Sequence, residues 1–452
     1  MDTFDLNGRP FIELCNLLKL TGYCSSGGSA KLTIAAGEVK VDDQIELRKR
    51  CKIRPGQIVE YGELLGSRQK KIAALSVSST SALCETRLKP GSDNYWRFLP
   101  LADEGLDEWQ NWLPLPELFE SWGAGVLTNR NGLAISQDRG SLLAKIERFA
   151  DLTTPTPALE EELGFRSNYR WDTQTVRERF AAQDVEDCAL PYLFRPFDKR
   201  WIYWHPDIVY NMRGDKLAAL MEPGRSLGLM FSRNTRRKSY TNVFVTDCVA
   251  DRDCLEKANI APLHILSEGK LRCNIVAGTR EHFTETVGAV SGRDILHYIY
   301  AVLQSSTYRT RYFSRLQMEF PRLPMTPSPG LFDKLRKYGA DLVALHLLDE
   351  SYLWASWNHA GSCPGSPLAA EHLPAYQTAS KPGSEPSRQY RVGGYPVLQK
   401  YIRGRKKMGT GPEEVLHLRR MMAAIAETFR LAGRIDAVVD EHGGWAEAFN
   451  SR

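Results

Sequence analysis

The sequence predicts a multi-domain α+β protein, and three observations support that fold class. With 452 residues, 42% of them hydrophobic and 25% charged, the chain can bury a sizeable core and form roughly two to four domains. Apolar runs bounded by Gly, Pro, Asn and Asp indicate strands in residues 201–204, 227–232, 243–249 and 260–265. Apolar residues at three- and four-residue steps indicate helices in residues 295–304, 306–318, 331–348 and 412–438.

Charge and cysteine usage narrow the class of protein. The net charge of +5 is compatible with a nucleic-acid partner only if the cations cluster. The nine cysteines contain no Cys-x-x-Cys pair, which argues against a zinc ribbon and a disulfide framework and predicts reduced thiols. The first ten residues carry no basic leader, and no stretch of about eighteen apolar residues occurs. We therefore expect a cytoplasmic protein without a membrane partner.

Several enzyme classes lack their sequence signatures here. The sequence has no Gly-x-x-x-x-Gly-Lys-Ser/Thr loop for phosphates and no Pro-Pro dipeptide, which an amino-methylating catalytic loop requires. Four potential zinc ligands are irregularly spaced and are better explained as buried thiols and a strand-end histidine: Cys248, Cys254, His264 and Cys273. We therefore predict no catalytic residue, no metal site and no cofactor.

The N-terminal segment predicts a miniature domain with a basic rim. Helices are expected in residues 11–20 and 26–36, and strands in residues 38–41 and 57–61. Clustered cations that can line one rim and contact a phosphate backbone are Lys31, Arg48, Lys49, Arg50, Lys52 and Arg54. The alternative is that the basic run is only a solvated hairpin.

This segment resembles the S-four RNA-binding domain, or αL motif, over residues 9–62. The residues that carry the resemblance are Ser25, Ala30, Lys31, Gly37, Val39, Val41, Arg50 and Gly56. Asp42 replaces the usual Asn of the turn. The resemblance implies that structured RNA is a possible partner, recognised by its shape and phosphates rather than by its base sequence.

A second basic segment lies in the middle of the chain, where cations alternate with aromatic residues. The cations are Arg195, Lys199, Arg200, Arg213, Lys216, Arg225, Arg233, Arg236, Arg237 and Lys238. Cations beside planar side chains are typical of nucleic-acid contacts, and Asn234 adds a side chain that suits adenine. Two alternatives stay open: Arg195, Asp198 and Arg200 form internal ion pairs, and Trp201, Tyr203 and Phe231 belong to the core.

The segment from about residue 93 to residue 440 resembles the target-recognition region of Type ISP restriction-modification enzymes and related adenine-specific DNA methyltransferases. The motifs, in order, are GVLTNRNG (125–132), RPFDKRWIY (195–203), FVTD (244–247), HYIYAVLQSSTYRTRY (297–312), FPRLP (320–324), LHLL (345–348) and GGYPVLQKY (393–401). The resemblance implies binding of double-stranded DNA. The expected contact set is Asn129, Arg130, Arg200, Arg213, Arg233, Asn234, Arg236, Arg237 and Lys238.

The domain plan follows from these two resemblances. We expect an S-four-type module in residues 1–66, a connector with a methyltransferase-tail remnant in 67–150, a target-recognition domain in 151–330 and a helical region in 331–452 with a flexible loop at 355–394. A further basic concentration at 388–407 is either a DNA-backbone contact or a solvated charge run.

The function expected from the sequence is DNA target recognition in a restriction-modification system, without methyltransferase or nuclease motifs of its own. A separate methyltransferase or restriction subunit is a possible partner. The first alternative is the specificity half of an adenine-specific DNA methyltransferase that is active only with a catalytic partner. The second alternative is an RNA-binding factor that uses the N-terminal module.

Overall fold

The computed structural model describes residues 2–6, 10–21, 24, 26–61, 73–78, 106–182, 186–212, 214–222, 224–233, 235, 237, 239–353, 389–405 and 411–449. The chain divides into two compact units, Met1–Pro100 and Leu101–Arg452. Most of the loop expected at 355–394 and the connection at 62–69 lie outside the described residues, as do Arg213, Asn234, Arg236 and Lys238. Every helix in the described part of the chain is either too short or too polar to span a lipid bilayer.

The first unit is a small sheet with two helices. Its elements are β1 Asp2–Asp5, β2 Ile12–Glu13, α1 Leu14–Leu20, α2 Gly27–Ala35, β3 Val39–Val41, β4 Gln44–Ile45, β5 Lys52–Ile53, β6 Ile58–Tyr61 and β7 Ala73–Ser78. The sheet has the order β1-β7-β6-β3-β4, with β1 parallel to β7 and the other neighbours antiparallel. The predicted helices and strands of this unit are present, but residues 12 and 13 are a strand instead of the first turn of α1.

Local residue chemistry explains two features of this unit. Ser26 caps α2, because its hydroxyl accepts a hydrogen bond from the backbone N–H of Ser29 at 3.1 Å. Asp42 and Asp43 both have positive φ, at 51° and 67°, which is the backbone of a tight two-residue hairpin turn. The Asp42 carboxylate also accepts the backbone N–H of Ile58 at 2.8 Å, so Asp is well accommodated where the S-four motif usually has Asn.

The second unit begins with short helices and strands around two sheets. Its elements up to residue 273 are α3 Leu106–Asn111, β8 Leu113–Pro114, β9 Gly123–Ala124, α4 Asn131–Ala134, β10 Ile135–Ser136, α5 Arg139–Ala150, α6 Thr156–Leu163, α7 Thr173–Ala181, β11 Ala189–Arg195, β12 Asp198–Tyr203, α8 Gly214–Leu217, β13 Gly228–Phe231, β14 Val243–Thr246, β15 Val249–Ala250, β16 Asn259–Pro262, β17 His264–Ser267 and β18 Lys270–Cys273. One sheet has the order β10-β12-β11-β15 and the other β14-β13-β16-β9. The strands predicted in this region are present within a few residues.

Helices form most of the remaining chain. These elements are α9 Ala277–Val287, α10 Gly292–Gln304, α11 Ser306–Arg311, α12 Phe313–Leu316, β19 Arg322–Leu323, α13 Pro329–Leu347, β20 Arg391–Val392, β21 Tyr395–Pro396, α14 Val397–Arg405, α15 Pro412–Asp440 and α16 Gly444–Glu447. The helix predicted for residues 306–318 is two short helices, because the backbone of Tyr312 leaves the helical conformation between them. The end of the expected loop is also different, since residues 391–396 form the hairpin β20–β21.

One aromatic cluster joins the start and the end of the second unit. The rings of Trp109 and Tyr312 stack with centroids 5.2 Å apart, and Trp445 lies 5.4 Å from Tyr308. The buried core therefore runs from residue 109 to residue 449 and crosses residues 150 and 330. The domain boundaries at 150 and 330 remain predictions.

Candidate nucleic-acid interface

The basic run of the first unit is exposed to solvent. Arg48, Lys49, Arg50, Lys52 and Arg54 are all exposed, between β4 and β6, whereas Lys31 on α2 is half-buried. Lys52 lies over the ring of Phe11, with its Nζ 4.5 Å from the centroid, and Arg50 is 3.9 Å from Glu13. Neither contact buries the cation, so these charges are accessible to a polyanion.

Glu46 holds Arg48 in place. The Arg48 guanidinium donates to both carboxylate oxygens of Glu46, at 3.0 Å from Nε to Oε1 and 2.6 Å from Nη2 to Oε2. The Arg48 side chain is 79% exposed, but that of Glu46 is only 10% exposed. The hydrogen bonds from Arg48 lower the pKa of Glu46 from 4.5 to about 2, and burial only partly opposes them. The pair therefore orients one cation outward.

We expect Glu46→Gln to destabilise the first unit by about 1 kcal/mol, a modest value because solvent screens the exposed Arg48. The depressed pKa has a second consequence: the contribution of Glu46 to stability is complete above pH 4.5 and is lost as the pH falls toward 2. Hydrogen exchange of β3 and β6 in the full chain at neutral pH measures the effect. Lys49→Gln, which alters an exposed neighbour, should leave the exchange unchanged, and equal protection in Glu46→Gln and the wild type would contradict the prediction.

In the second unit, two arginines stack on one aromatic ring. The guanidinium carbons of Arg195 and Arg200 each lie 4.1 Å from the centroid of the Phe194 ring. Arg195 pairs with Asp251 at 3.2 Å and Arg200 pairs with Asp198 at 2.7 Å. The internal ion pairs considered from the sequence are thus present, and Arg200 keeps 26% of its side chain exposed.

The aromatic residues of this segment are mainly structural. Tyr203 and Phe231 are buried, and Trp201 is half-buried against the core. Cys248 and Cys254 are buried thiols, and burial raises the pKa of Cys248 to about 12. Within the described residues, no three His, Cys, Asp or Glu side chains cluster as metal ligands would.

The loop between β13 and β14 carries exposed cations. Arg233 and Arg237 are both exposed, and Arg237 pairs with Glu256 at 2.9 Å while keeping 52% of its side chain accessible. Ser232 donates its hydroxyl to the carbonyl oxygen of Glu256 at 2.9 Å, which fixes the start of the loop.

The hairpin β20–β21 adds a cation from far along the chain. The Gly393 N–H donates to the Thr241 carbonyl at 2.9 Å, and the Thr241 hydroxyl donates to the Gly393 carbonyl at 3.2 Å. A Cβ on Gly394 would lie 2.9 Å from both Arg237 Nη2 and Glu256 Oε1, so the hairpin backbone closely approaches this ion pair. The exposed Arg391 is therefore held beside the loop that carries Arg233 and Arg237.

The same hairpin reaches the Phe194 stack. The pKa of Tyr395 is raised to about 12, mainly by burial and also by the nearby Asp198 carboxylate, while Arg195 and Arg200 oppose the shift. Tyr395 thus lies among the charged groups around Phe194. We call the cations gathered by this hairpin, Arg200, Arg233, Arg237 and Arg391, the hairpin surface.

The two N-terminal candidates of the second unit have different environments. Asn129 is exposed and has a positive φ of 56°, at a turn between β9 and α4. Arg130 is buried, donates from Nε to the carbonyl oxygen of Ile208 at 3.1 Å and lies over the Trp171 ring at 4.1 Å. Burial lowers the pKa of its guanidinium, with Asp207 opposing the shift. Arg130 therefore supports the fold and does not present its charge to solvent.

Sequence reasoning did not place Arg391 next to Arg237. The glycine pair of the GGYPVLQKY motif was the available signal, because adjacent glycines permit close backbone approach. The partner of that approach lies about 150 residues earlier in the chain, and no local pattern identifies it.

Comparison with protein-family models assigns both units of the chain. A family model described as the Type ISP C-terminal specificity domain matches residues 117–431, and an S4 domain model matches residues 4–65. The chain belongs to the Type ISP C-terminal specificity domain family and carries an S4 domain at its N-terminal end.

Individual relatives agree with both assignments. The N-terminal end is 56% identical over 61 residues to the putative RNA-binding protein YbcJ of Escherichia coli (strain K12), covering 14% of this chain and 87% of the relative. The cryoEM structure of the DrdV–DNA complex matches 76% of this chain and 40% of that chain with a TM-score of 0.54 at 19% identity. A nuclease-deletion mutant of the Type ISP enzyme LlaGI with a DNA substrate mimic matches 77% of this chain and 36% of that chain, with a TM-score of 0.52 at 17% identity. At such identities the structures show a shared fold, and this chain spans less than half the length of either of those two chains.

Proposed function

We propose that the second unit recognises a DNA target site for a restriction-modification system. The observation that carries this proposal is the family match over residues 117–431. The two structural relatives described above were solved with DNA or a DNA substrate mimic, which supports DNA as the ligand.

The hairpin surface supplies a suitable phosphate-binding geometry. Its four arginines come from β12, from the loop after β13 and from β20, and three of them, Arg200, Arg237 and Arg391, are fixed or flanked by a contact within the protein. Guanidinium groups held in this way lose little conformational freedom when they meet phosphates or base edges. Asn129 is proposed as a further contact, whereas Arg130 is left out because it is buried.

Recognition without catalysis in this chain is part of the proposal. The sequence contains neither a P-loop nor a Pro-Pro dipeptide. The proposal assigns methyl transfer or cleavage to a separate methyltransferase or restriction subunit. If a catalytic partner restores methyl transfer to adenine, the chain is the specificity half of an adenine methyltransferase.

RNA binding by the first unit is a second candidate function. It is supported by the 56% identity to a putative RNA-binding protein and by five exposed cations between β4 and β6. Shape and phosphate contacts would dominate such binding.

Selection from random-sequence libraries tests both functions. The full chain is incubated at low salt with duplex DNA and, separately, with structured RNA, and bound molecules are amplified over several rounds. Enrichment of a common duplex sequence supports target recognition. Failure to enrich any duplex, or equal retention of all sequences, would remove the DNA proposal without affecting the RNA candidate.

A further inference from the structure

A short hairpin outside the expected contact set projects an aromatic ring and an arginine into solvent. Asn168 and Trp171 exchange two backbone hydrogen bonds, at 2.9 Å and 3.1 Å, so Tyr169 and Arg170 form a two-residue tip. The Asn168 side chain accepts the backbone N–H of Arg170 at 3.0 Å, which fixes the turn. Tyr169 is 90% exposed, and the Arg170 guanidinium lies 5.1 Å from the centroid of its ring.

The base of this hairpin is firmly anchored. The Glu160 carboxylate accepts hydrogen bonds from the backbone and the hydroxyl of Ser167, at 3.0 Å and 2.9 Å, and from the hydroxyl of the buried Thr173. Trp171 is buried against Phe165, with ring centroids 5.7 Å apart. These contacts anchor the base of the hairpin, so the backbone that carries the exposed ring is held in place.

Two other loops pack against Trp171 at the base of the hairpin. Its indole N–H donates to the Asp207 carbonyl, and the Arg130 guanidinium lies over its ring and donates to the next carbonyl, that of Ile208. Leu127 and Asn211 are joined by backbone hydrogen bonds at 3.2 Å and 2.9 Å. The exposed side chains of Asn129 and Tyr210 are thereby placed on loops that pack around the same indole as the hairpin.

We propose that the Tyr169–Arg170 tip is a DNA-contacting element, in which the Tyr169 ring packs against bases or sugars in a groove and Arg170 contacts the neighbouring phosphate. This inference rests on the proposed function and adds a contact separate from the hairpin surface. An exposed aromatic residue beside a guanidinium, both on an anchored hairpin, matches the combination of ring contacts and phosphate pairing that nucleic acids accept.

DNA is the occupant to which the three loops are assigned. Their exposed side chains include the Tyr169 and Tyr210 rings, the Asn129 amide and the Arg170 guanidinium, whereas Ile208 and Val209 are buried. Rings, an amide and a guanidinium suit base edges, sugars and phosphates. Since Tyr and Arg are also common at protein interfaces, the choice of DNA rests on the proposed function of this unit, and a protein partner is an outcome of the test.

The test uses the full chain and a duplex enriched by the wild-type protein from the random library. Tyr169→Ala should weaken binding of that duplex by about tenfold, since the ring contact is lost. Arg170→Ala should weaken binding to all duplexes and make the slope of log affinity against log salt shallower by about one. A photo-crosslinking phenylalanine derivative at position 169 should attach to the enriched duplex upon irradiation.

Leu266→Ala and Lys270→Ala are matched controls, because both lie at the exposed hairpin β17–β18. They should retain wild-type binding, and unchanged thermal unfolding of the tip variants establishes that they fold. Wild-type affinity in Tyr169→Ala together with no crosslink from position 169 would overturn the inference. This is also the result expected if the tip binds a protein instead of DNA. A wild-type chain that enriches no duplex would defeat the proposed function itself, so the two failures are distinguishable.

Discussion

Replacing three cations of the hairpin surface should reduce the affinity for duplex DNA by about 100-fold at moderate salt. The variant combines Arg233→Gln, Arg237→Gln and Arg391→Gln, three exposed side chains on the loop after β13 and on the hairpin β20–β21 that is hydrogen-bonded to the end of that loop. Each phosphate contact releases roughly one counterion, so the slope of log affinity against log salt should become shallower by about three. A salt titration by fluorescence anisotropy on the enriched duplex measures both quantities.

A second triple variant with the same change of net charge separates local contacts from overall charge. Arg272→Gln, Lys334→Gln and Arg430→Gln remove cations that are each exposed and ion-paired at β18, α13 and α15. This control should bind the duplex within about twofold of the wild type. If the two triple variants lose the same affinity, the hairpin surface is not the phosphate-contacting region. Thermal unfolding of both proteins checks that removal of the Arg237–Glu256 pair does not disturb the fold.

Local chemistry made much of the fold predictable from sequence. The helix over 295–304 is confirmed because its apolar spacing is long and regular, and the structure adds a Ser291–Asp294 capping box before it. The turn at Asp42–Asp43 is confirmed because short polar side chains tolerate positive φ. The helix over 306–318 was only partly right, since apolar periodicity does not reveal the break at Tyr312.

The candidate interface was less predictable because tertiary contacts decide which cations remain exposed. Arg130 lies in a polar motif, TNRNG, that gives no indication of burial, yet the Trp171 ring and the Ile208 carbonyl enclose it. The Tyr169–Arg170 tip shows the converse case, because nothing in its sequence indicated an exposed cationic contact. The nearby Glu160, Glu161 and Glu162 cancel its charge in a sequence count, although Glu160 serves as the anchor of the hairpin.

The largest effect on stability is expected at Gly339, where α13 crosses α10. A methyl group on Gly339 would overlap the carbonyl oxygen of His297 and lie 3.1 Å from its Cα, so the two helix backbones must separate. These helices form the centre of the helical layer, and the neighbouring Leu335, Leu342 and Ile299 are buried. We expect Gly339→Ala to lower the free energy of unfolding by about 3–5 kcal/mol, because backbone atoms cannot rotate away as a side chain would.

Gly433→Ala supplies the matched comparison. Gly433 lies on the exposed side of α15, and a methyl group there would meet nothing within 4 Å. The same glycine-to-alanine change should therefore raise the free energy of unfolding by about 0.5–1 kcal/mol through higher helix propensity. Urea unfolding followed by tryptophan fluorescence measures both variants, because Trp109, Trp112 and Trp445 belong to the same core. A Gly339→Ala protein as stable as the wild type would show that α10 and α13 do not approach this closely.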